Sequence, residues 1–325
     1  MDDIKTQLYQ MFILGIDDEC KYEKFLEKGL GGVIFFTKDI KSAEQFSALT
    51  DRIRAISKIP PFLSIDQEGG RVERTENIHN GKKYLSAKYA FERGKVFLEK
   101  QTQEIAQELK SYGINLNFAP CIDTNTNPDN PIIGERAFSS NPDDVIEGEK
   151  IVSKIYRVNG IIPCAKHYPG HGDANADSHL TLPVIDIPFE EMEKIHIKPF
   201  KAAIDDGIEM IMAAHLHCTC FEKEAIPTSL SKTALTYLRE KLNYNGVIIS
   251  DDMVMKGVSD FGEVQACVMG IKAGLNMFIY RNCDDKTIDI IEQVYKLALK
   301  DEKLAQNIKI SYNKIIELKK KYNFR

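Results

Sequence analysis

Eight short apolar runs, each with a polar tip and most followed by a helix-forming stretch, constrain this chain more than any other feature. They fall at 11–17 (MFILGID), 31–36 (GGVIFF), 61–67 (PFLSIDQ), 114–120 (INLNFAP), 161–167 (IIPCAKH), 209–215 (EMIMAAH), 246–252 (GVIISDD) and 275–281 (LNMFIYR). Amphipathic helices lie between them, clearest at 98–113, 191–207 and 231–246, each closed by a glycine (Gly113, Gly207, Gly246). Strand–helix alternation repeated eight times implies parallel strands joined by right-handed crossovers. Eight such units close into an α/β fold of the (β/α)8 TIM-barrel type, with an open doubly wound sheet as the competing architecture. Residues 301–322 read as a C-terminal amphipathic helix packed on that barrel. With no linker, no longer repeat and no low-complexity stretch, residues 1–325 read as a single domain.

Composition narrows the partners. A formal net charge of −5 and the lack of a basic tract argue against nucleic acid. The acidic start MDDIKTQLYQMFILGIDDE is not a secretory signal, and no run approaches the ~18 apolar residues of a membrane span. Seven cysteines, several within apolar runs such as those around Cys164 and Cys267, read as buried free thiols and point to a reducing cytoplasm. The chain is expected to work as a monomer on a small molecule, without cofactor or metal.

The densest polar chemistry lies in 160–180, GIIPCAKHYPGHGDANADSHL. The apolar run there delivers Lys166 and His167 at a strand tip, and a loop follows with Gly170, Gly172, His171, His179, Asp173 and Asp177. In an extended segment residues i and i+2 point the same way, so Asp177 can hold the imidazole of His179 and set its tautomer, as an acid/base pair. The glycines at 170 and 172 would let that loop swing. In a barrel, strand tips converge on one mouth. Reading only the tips gathers Asp66, Glu68, Arg71 and Arg74 after run three, Asp123 and Arg136 after run four, Lys166 and His167 after run five, His215 after run six, Asp251 and Asp252 after run seven, and Arg281 after run eight. A salt-bridge ring would account for Glu68 and Arg71, less well for the rest.

Two chemistries could use such a mouth. Glycoside cleavage needs an anionic nucleophile, for which Asp251 is placed, a proton donor, for which His179 is suited, and charged clamps for hydroxyls, for which Asp66, Arg74, Arg136, Lys166 and His167 are suited. Metal-dependent hydrolysis would use His215 and His217 on one strand face, completed by Cys218, Cys220 and Asp251, although Lys166 would sit badly beside a cation.

The segments IDQEGGRVERT (65–75), NFAPCIDTNTNPDNPIIGERAFS (117–139), AKHYPGHGDANADSHLTLP (165–183), IMAAHLHC (211–218) and VIISDDMVMKGV (247–258) carry a specific resemblance. In order and spacing they resemble glycoside hydrolase family 3, and within it the single-domain bacterial β-N-acetylglucosaminidases of cell-wall recycling. The resemblance implies a retaining exo-hydrolase of terminal β-linked N-acetylglucosamine, acting on muropeptide fragments that carry an anhydro-muramic unit. It implies Asp251 as covalent nucleophile, His179 as acid/base, Asp177 as its partner, and Asp66, Arg74, Arg136, Lys166 and His167 as the sugar-binding set. Asp252 and Glu68 would support them. Tyr168, MAAH and DDMVM depart from the commoner Phe, MTAH and DDLSM without removing a charged group. A β-glucosidase, an N-acetylglucosaminide phosphorylase, a metal-dependent amidohydrolase and a non-catalytic sugar-binding barrel are the other readings.

Overall fold

All eight apolar runs become strands of one closed parallel barrel: β1 (Phe12–Leu14), β2 (Gly32–Phe35), β3 (Phe62–Ile65), β4 (Leu116–Asn117), β5 (Ile162–Tyr168), β6 (Met210–Ala213), β7 (Val247–Asp252) and β8 (Met277–Tyr280). The structure, a computed structural model, describes residues 3–16, 22–79, 81–174 and 182–324. Each strand is flanked in chain order by its sequence neighbours, and β1 closes the ring on β8 with Phe12 opposite Phe278. This is the (β/α)8 arrangement, and the open doubly wound sheet is excluded. The strands are short and almost wholly buried because helices cover their outer face and side chains fill the interior, which is why they read as continuous apolar runs. A two-stranded pair, Val184–Ile185 with His217–Cys218, lies outside the ring.

Two register slips interrupt the barrel. Between β5 and β6, Lys166 faces Met212 but Tyr168 already faces Ala213, so β5 carries one extra residue at His167. Between β7 and β8, Met277 faces Ile249 but Ile279 faces Asp252, so β7 carries one extra residue beside Asp251. An extra residue breaks the alternation of side chains and re-aims them, a device found next to active sites.

The helices differ in detail from the sequence reading. The helix Lys95–Ser111 ends near Gly113 as expected, and that glycine has φ +70°. The segment 189–205 is one helical rod with a π-helical stretch, Met192–Ile197, just before Pro199, which lacks an N–H to continue the ordinary ladder. The helix expected over 231–246 stops at Lys241, and Asn243 adopts the left-handed conformation (φ +57°). Gly246 is therefore not its terminus; it leads into β7, where a Cβ would meet the Tyr244 ring and the Glu209 carbonyl. The C-terminal helix spans Glu302–Lys321, with Asp301 Oδ1 accepting from the Leu304 N–H at its start.

The cysteines correct the sequence reading. Cys121, Cys164, Cys218 and Cys267 are buried free thiols and Cys220 is a half-buried one, but Cys283 is disulfide-bonded. The reading of the cysteines as free thiols therefore fails at Cys283. Among the described residues no helix is long and apolar enough to cross a membrane.

Candidate active site

The C-terminal ends of the strands open on a cavity of about 510 Å³. Asp66, Arg74, Arg136, Lys166, His167 and Asp251, drawn from the tips of β3, β4, β5 and β7, all line it. Every expected site residue within the described part of the chain thus meets in one place. Asp177 and His179 lie outside the described residues.

The loop after β3 is shaped by Gln67. Its side-chain oxygen accepts from the N–H groups of Arg74 (2.7 Å) and Thr75 (3.2 Å), turning the chain back so that Arg74 reaches the cavity over the Phe36 ring. Gly69 and Gly70 hold positive φ in that turn, and a Cβ at Gly69 would sit 2.3 Å from the Leu85 carbonyl oxygen. Glycine is the residue that permits both the angle and the approach.

Behind the cavity wall an ion cluster crosses the barrel. Lys166 Nζ donates to Asp66 Oδ1 (2.7 Å) and lies 2.6 Å from Glu68 Oε1. Glu68 also takes both arms of Arg136, Nε at 2.9 Å and Nη2 at 2.8 Å. Burial alone would raise the Glu68 carboxyl, but Arg136 and Lys166 outweigh it and hold it well below the usual carboxylate range. Burial would lower the Lys166 ammonium, and Asp66 and Glu68 reverse this and push it up. Glu68, Lys166 and Arg136 are thus ionised together, and their mutual contacts fix the donors that face the cavity.

A second cluster, not foreseen as such, centres on Asp123, which is completely buried after β4. It accepts from His167 Nδ1 (2.7 Å), from the His171 N–H (2.6 Å) and from Cys121 Sγ (3.2 Å). Burial would raise Asp123, and His167 first, then His171, hold it below its ordinary value. The Lys166–His167 peptide is cis. His171 also lines the cavity; burial drives it down to about 4, and neither of its ring nitrogens has a partner among the described residues. Asp123 stands among the strand-tip residues of the sequence reading but was given no role there, because its partners lie 44 and 48 residues away, beyond any local spacing signal.

Asp251 projects from the end of β7, and the Asp252 N–H donates to its Oδ1 (2.7 Å). Burial would raise its carboxyl, but His167, His215, the Asp252 amide and Lys166 together keep it below its ordinary value, so it is an anion at neutral pH. Asp252 is turned aside to the Arg281 guanidinium and accepts from the Arg281 N–H (3.2 Å). Burial nevertheless pushes Asp252 up. Arg71, expected in a salt-bridge ring, instead donates to the carbonyls of Pro131 (3.0 Å) and Ile132.

The metal reading fails on geometry. His215 lies beyond β6 with Nδ1 2.7 Å from Ser229 Oγ, whereas His217 belongs to the outlying strand pair and sets Nε2 on the Glu222 carbonyl (2.9 Å). The two rings do not share a face of one strand. Close packing accounts for Gly170 and Gly172 in this structure. A Cβ at Gly170 would lie 2.6 Å from His196 Cβ, and one at Gly172 would lie 1.7 Å from the Thr124 carbonyl oxygen.

The family described as glycosyl hydrolase family 3 N terminal domain matches residues 3–318. The chain is 32% identical over 320 residues to the beta-hexosaminidase A of Pseudoalteromonas piscicida, covering 90% of this chain and 53% of that protein. It is 32% identical over 289 residues to the beta-hexosaminidase of Methylobacillus flagellatus, covering 85% of this chain and 80% of that one. Among solved structures it is similar to a glycoside hydrolase family 3 beta-N-acetylglucosaminidase from Paenibacillus sp. str. FPU-7, with a TM-score of 0.92 and 28% identity, covering 100% of this chain and 63% of that one. The chain thus spans about half of the Pseudoalteromonas protein and under two thirds of the Paenibacillus one.

Proposed function

From the premise that this chain belongs to glycosyl hydrolase family 3, we propose that it is a retaining exo-β-N-acetylglucosaminidase. The observation that carries the reading is an ionised Asp251 on the same cavity wall as Lys166, His167, Arg136 and Asp66. A sugar needs such a wall, with an anion to attack the anomeric carbon and fixed charged donors and acceptors for its hydroxyls. Relatives named beta-hexosaminidase support the aminosugar as the glycone.

In this mechanism Asp251 attacks the anomeric carbon as the bond to the leaving oxygen breaks, giving a covalent glycosyl–Asp251 ester. His179, oriented by Asp177, gives its proton to the leaving oxygen and then takes one from the water that releases the sugar. Asp66, Arg74, Arg136, Lys166 and His167 hold the glycone. The natural substrate we assign is a muropeptide fragment, N-acetylglucosamine joined to an anhydro-muramic unit. Arg71 and Arg281 at the cavity suit an aglycone that bears carboxylates.

Hydrolysis of matched aryl β-N-acetylglucosaminide and aryl β-glucoside, with and without phosphate, tests the assignment. The expected result is cleavage of the aminosugar alone, indifferent to phosphate, with Asp251→Ala reducing turnover at least a thousandfold. Turnover by that variant above a few per cent of the wild-type rate would remove Asp251 as nucleophile, and acceleration by phosphate would mark a phosphorylase instead.

A further inference from the structure

We propose that Asp123 is a positioning residue for the sugar site, taking the Nδ1 proton of His167 so that Nε2 is presented to the cavity as a hydrogen-bond acceptor. Two contacts on opposite sides of one ring lead to this. Asp123 is ionised and can only accept, so the 2.7 Å contact from His167 Nδ1 to its Oδ2 requires a proton on Nδ1. On the far side, Nε2 lies 3.3 Å from Nη2 of Arg136, and a guanidinium can only donate. That contact requires a lone pair on Nε2. The ring is then neutral, with its single proton on the side away from the substrate.

Asp123 is built to hold this arrangement. The backbone N–H groups of His167 (3.2 Å to either oxygen) and His171 (2.6 Å) converge on the carboxylate, and the Cys121 thiol adds a fourth donor. It is wholly buried, so no water competes for the oxygens. Cys121, Asp123 and His167 bring their ligating atoms within 4.8 Å of one another. However, the 2.7 Å separation of Nδ1 and Oδ2 is that of a hydrogen bond, shorter than the roughly 3.3 Å between two N or O ligands of a tetrahedral zinc ion.

The inference rests on the sugar-binding reading of this cavity and sharpens it. Lys166 has three N–H donors and no acceptor, and its chain neighbour His167 supplies the opposite polarity. A sugar hydroxyl that takes the place of the 3.3 Å Arg136 contact donates to Nε2 while accepting from Lys166, and so is matched by the pair. The groups around the ring are Asp123 behind it, Arg136 from the turn Gly134–Arg136, Lys166 beside it, Asp251 from β7, and the His171 ring at 6.0 Å between centroids.

Nitrogen-15 spectra of the full chain labelled at histidine, with His167 assigned by its loss in His167→Gln, test the proposal without recourse to turnover. At neutral pH the wild-type ring is expected to show a protonated Nδ1 and a bare Nε2. In Asp123→Asn the Nδ1–H form should lose its dominance, and kcat/KM for an aryl β-N-acetylglucosaminide should fall at least tenfold. Two protonated ring nitrogens, or a proton on Nε2, in the wild type would overturn the proposal even if Asp123→Asn does not fold. A folded Asp123→Asn that keeps the wild-type tautomer and kinetics would overturn it too. A chain that cleaves no glycoside yet shows the expected tautomer would count against the glycosidase reading alone.

Discussion

Lys166 and His167 are consecutive residues of one strand, yet both reach the same cavity, which strict alternation along β5 forbids. The extra residue at that point of the strand reconciles them, and the same holds for Asp251 and Asp252 on β7. Side-chain chemistry then completes what the backbone begins. The Tyr168 hydroxyl, which sets this motif apart from the phenylalanine common in its family, donates to the Ala234 carbonyl (3.1 Å), so a buried polar atom is satisfied and the departure is harmless. Glu68 is the most exacting position. It is the shared anion of Lys166 and Arg136, with all three side chains nearly or wholly buried. Replacing Glu68 by Gln leaves two buried cations facing each other across an amide. Breaking a buried pair on one side typically costs about 3–5 kcal/mol, and a loss in that range is expected in urea unfolding, together with a raised KM. A change below about 1 kcal/mol would mean that water reaches the cluster and screens it.

The helix Pro142–Val158 shows what an element hides from its sequence. Glu149, Ser153 and Arg157 are spaced four residues apart on one face. In the fold that face is covered, and Arg157 turns to Glu209 (Nε to Oε2, 3.0 Å), leaving both Glu149 oxygens without a hydrogen-bond partner among the described residues. Burial raises the Glu149 carboxyl from 4.5 to about 7, with Ser153 and Arg157 only partly opposing it. Between those values the folded chain holds a proton that the unfolded chain has released, so stability falls as pH rises through the interval, by up to about 3 kcal/mol. Glu149→Gln is therefore expected to be more stable than wild type at pH 8 and equal to it near pH 4, measured by denaturant midpoints at both. Equal midpoints throughout would show the carboxyl titrating normally. This helix marks the boundary of what was legible. The eight strands could be read because buried parallel strands must be apolar along their whole length, and the residues that line the cavity because charges at strand tips have few structural uses. The cover over Glu149, the partners of Asp123, the bulges in β5 and β7 and the early end of the helix at Lys241 depend on contacts between distant segments, which no local pattern encodes.

Across the whole molecule the barrel separates its tasks by end. Asp66, Lys166 and Asp251 stand at the C-terminal ends of the strands, while the opposite end is closed by the terminal helix Glu302–Lys321. Lys319 is the centre of that closure. Its ammonium nitrogen reaches Gln10 Oε1 (2.7 Å) and the Gly31 carbonyl (3.0 Å), just before β1 and β2, and lies over the Phe62 ring at the start of β3. Gln10 passes the tie on, donating to the carbonyls of Gly29 (2.8 Å) and Leu30 (3.1 Å). These partners carry no formal charge, and burial pushes Lys319 well below its ordinary 10.5. A cation with a depressed folded-state value sheds its proton in the folded chain first. From that value up to 10.5 the unfolded chain binds the extra proton, so stability rises with pH. Lys319→Met removes this dependence, at the cost of leaving Gln10 Oε1 and the Gly31 carbonyl unpaired, about 1–3 kcal/mol for each such buried group. Unfolding in urea at pH 7 and pH 9.5 should therefore show wild type gaining on Lys319→Met as the pH rises. Because the closure lies at the far end from the cavity, kcat/KM of the folded variant should equal that of wild type. A stability gap that does not change with pH would show Lys319 charged throughout, held by its two carbonyl acceptors and the Phe62 ring alone.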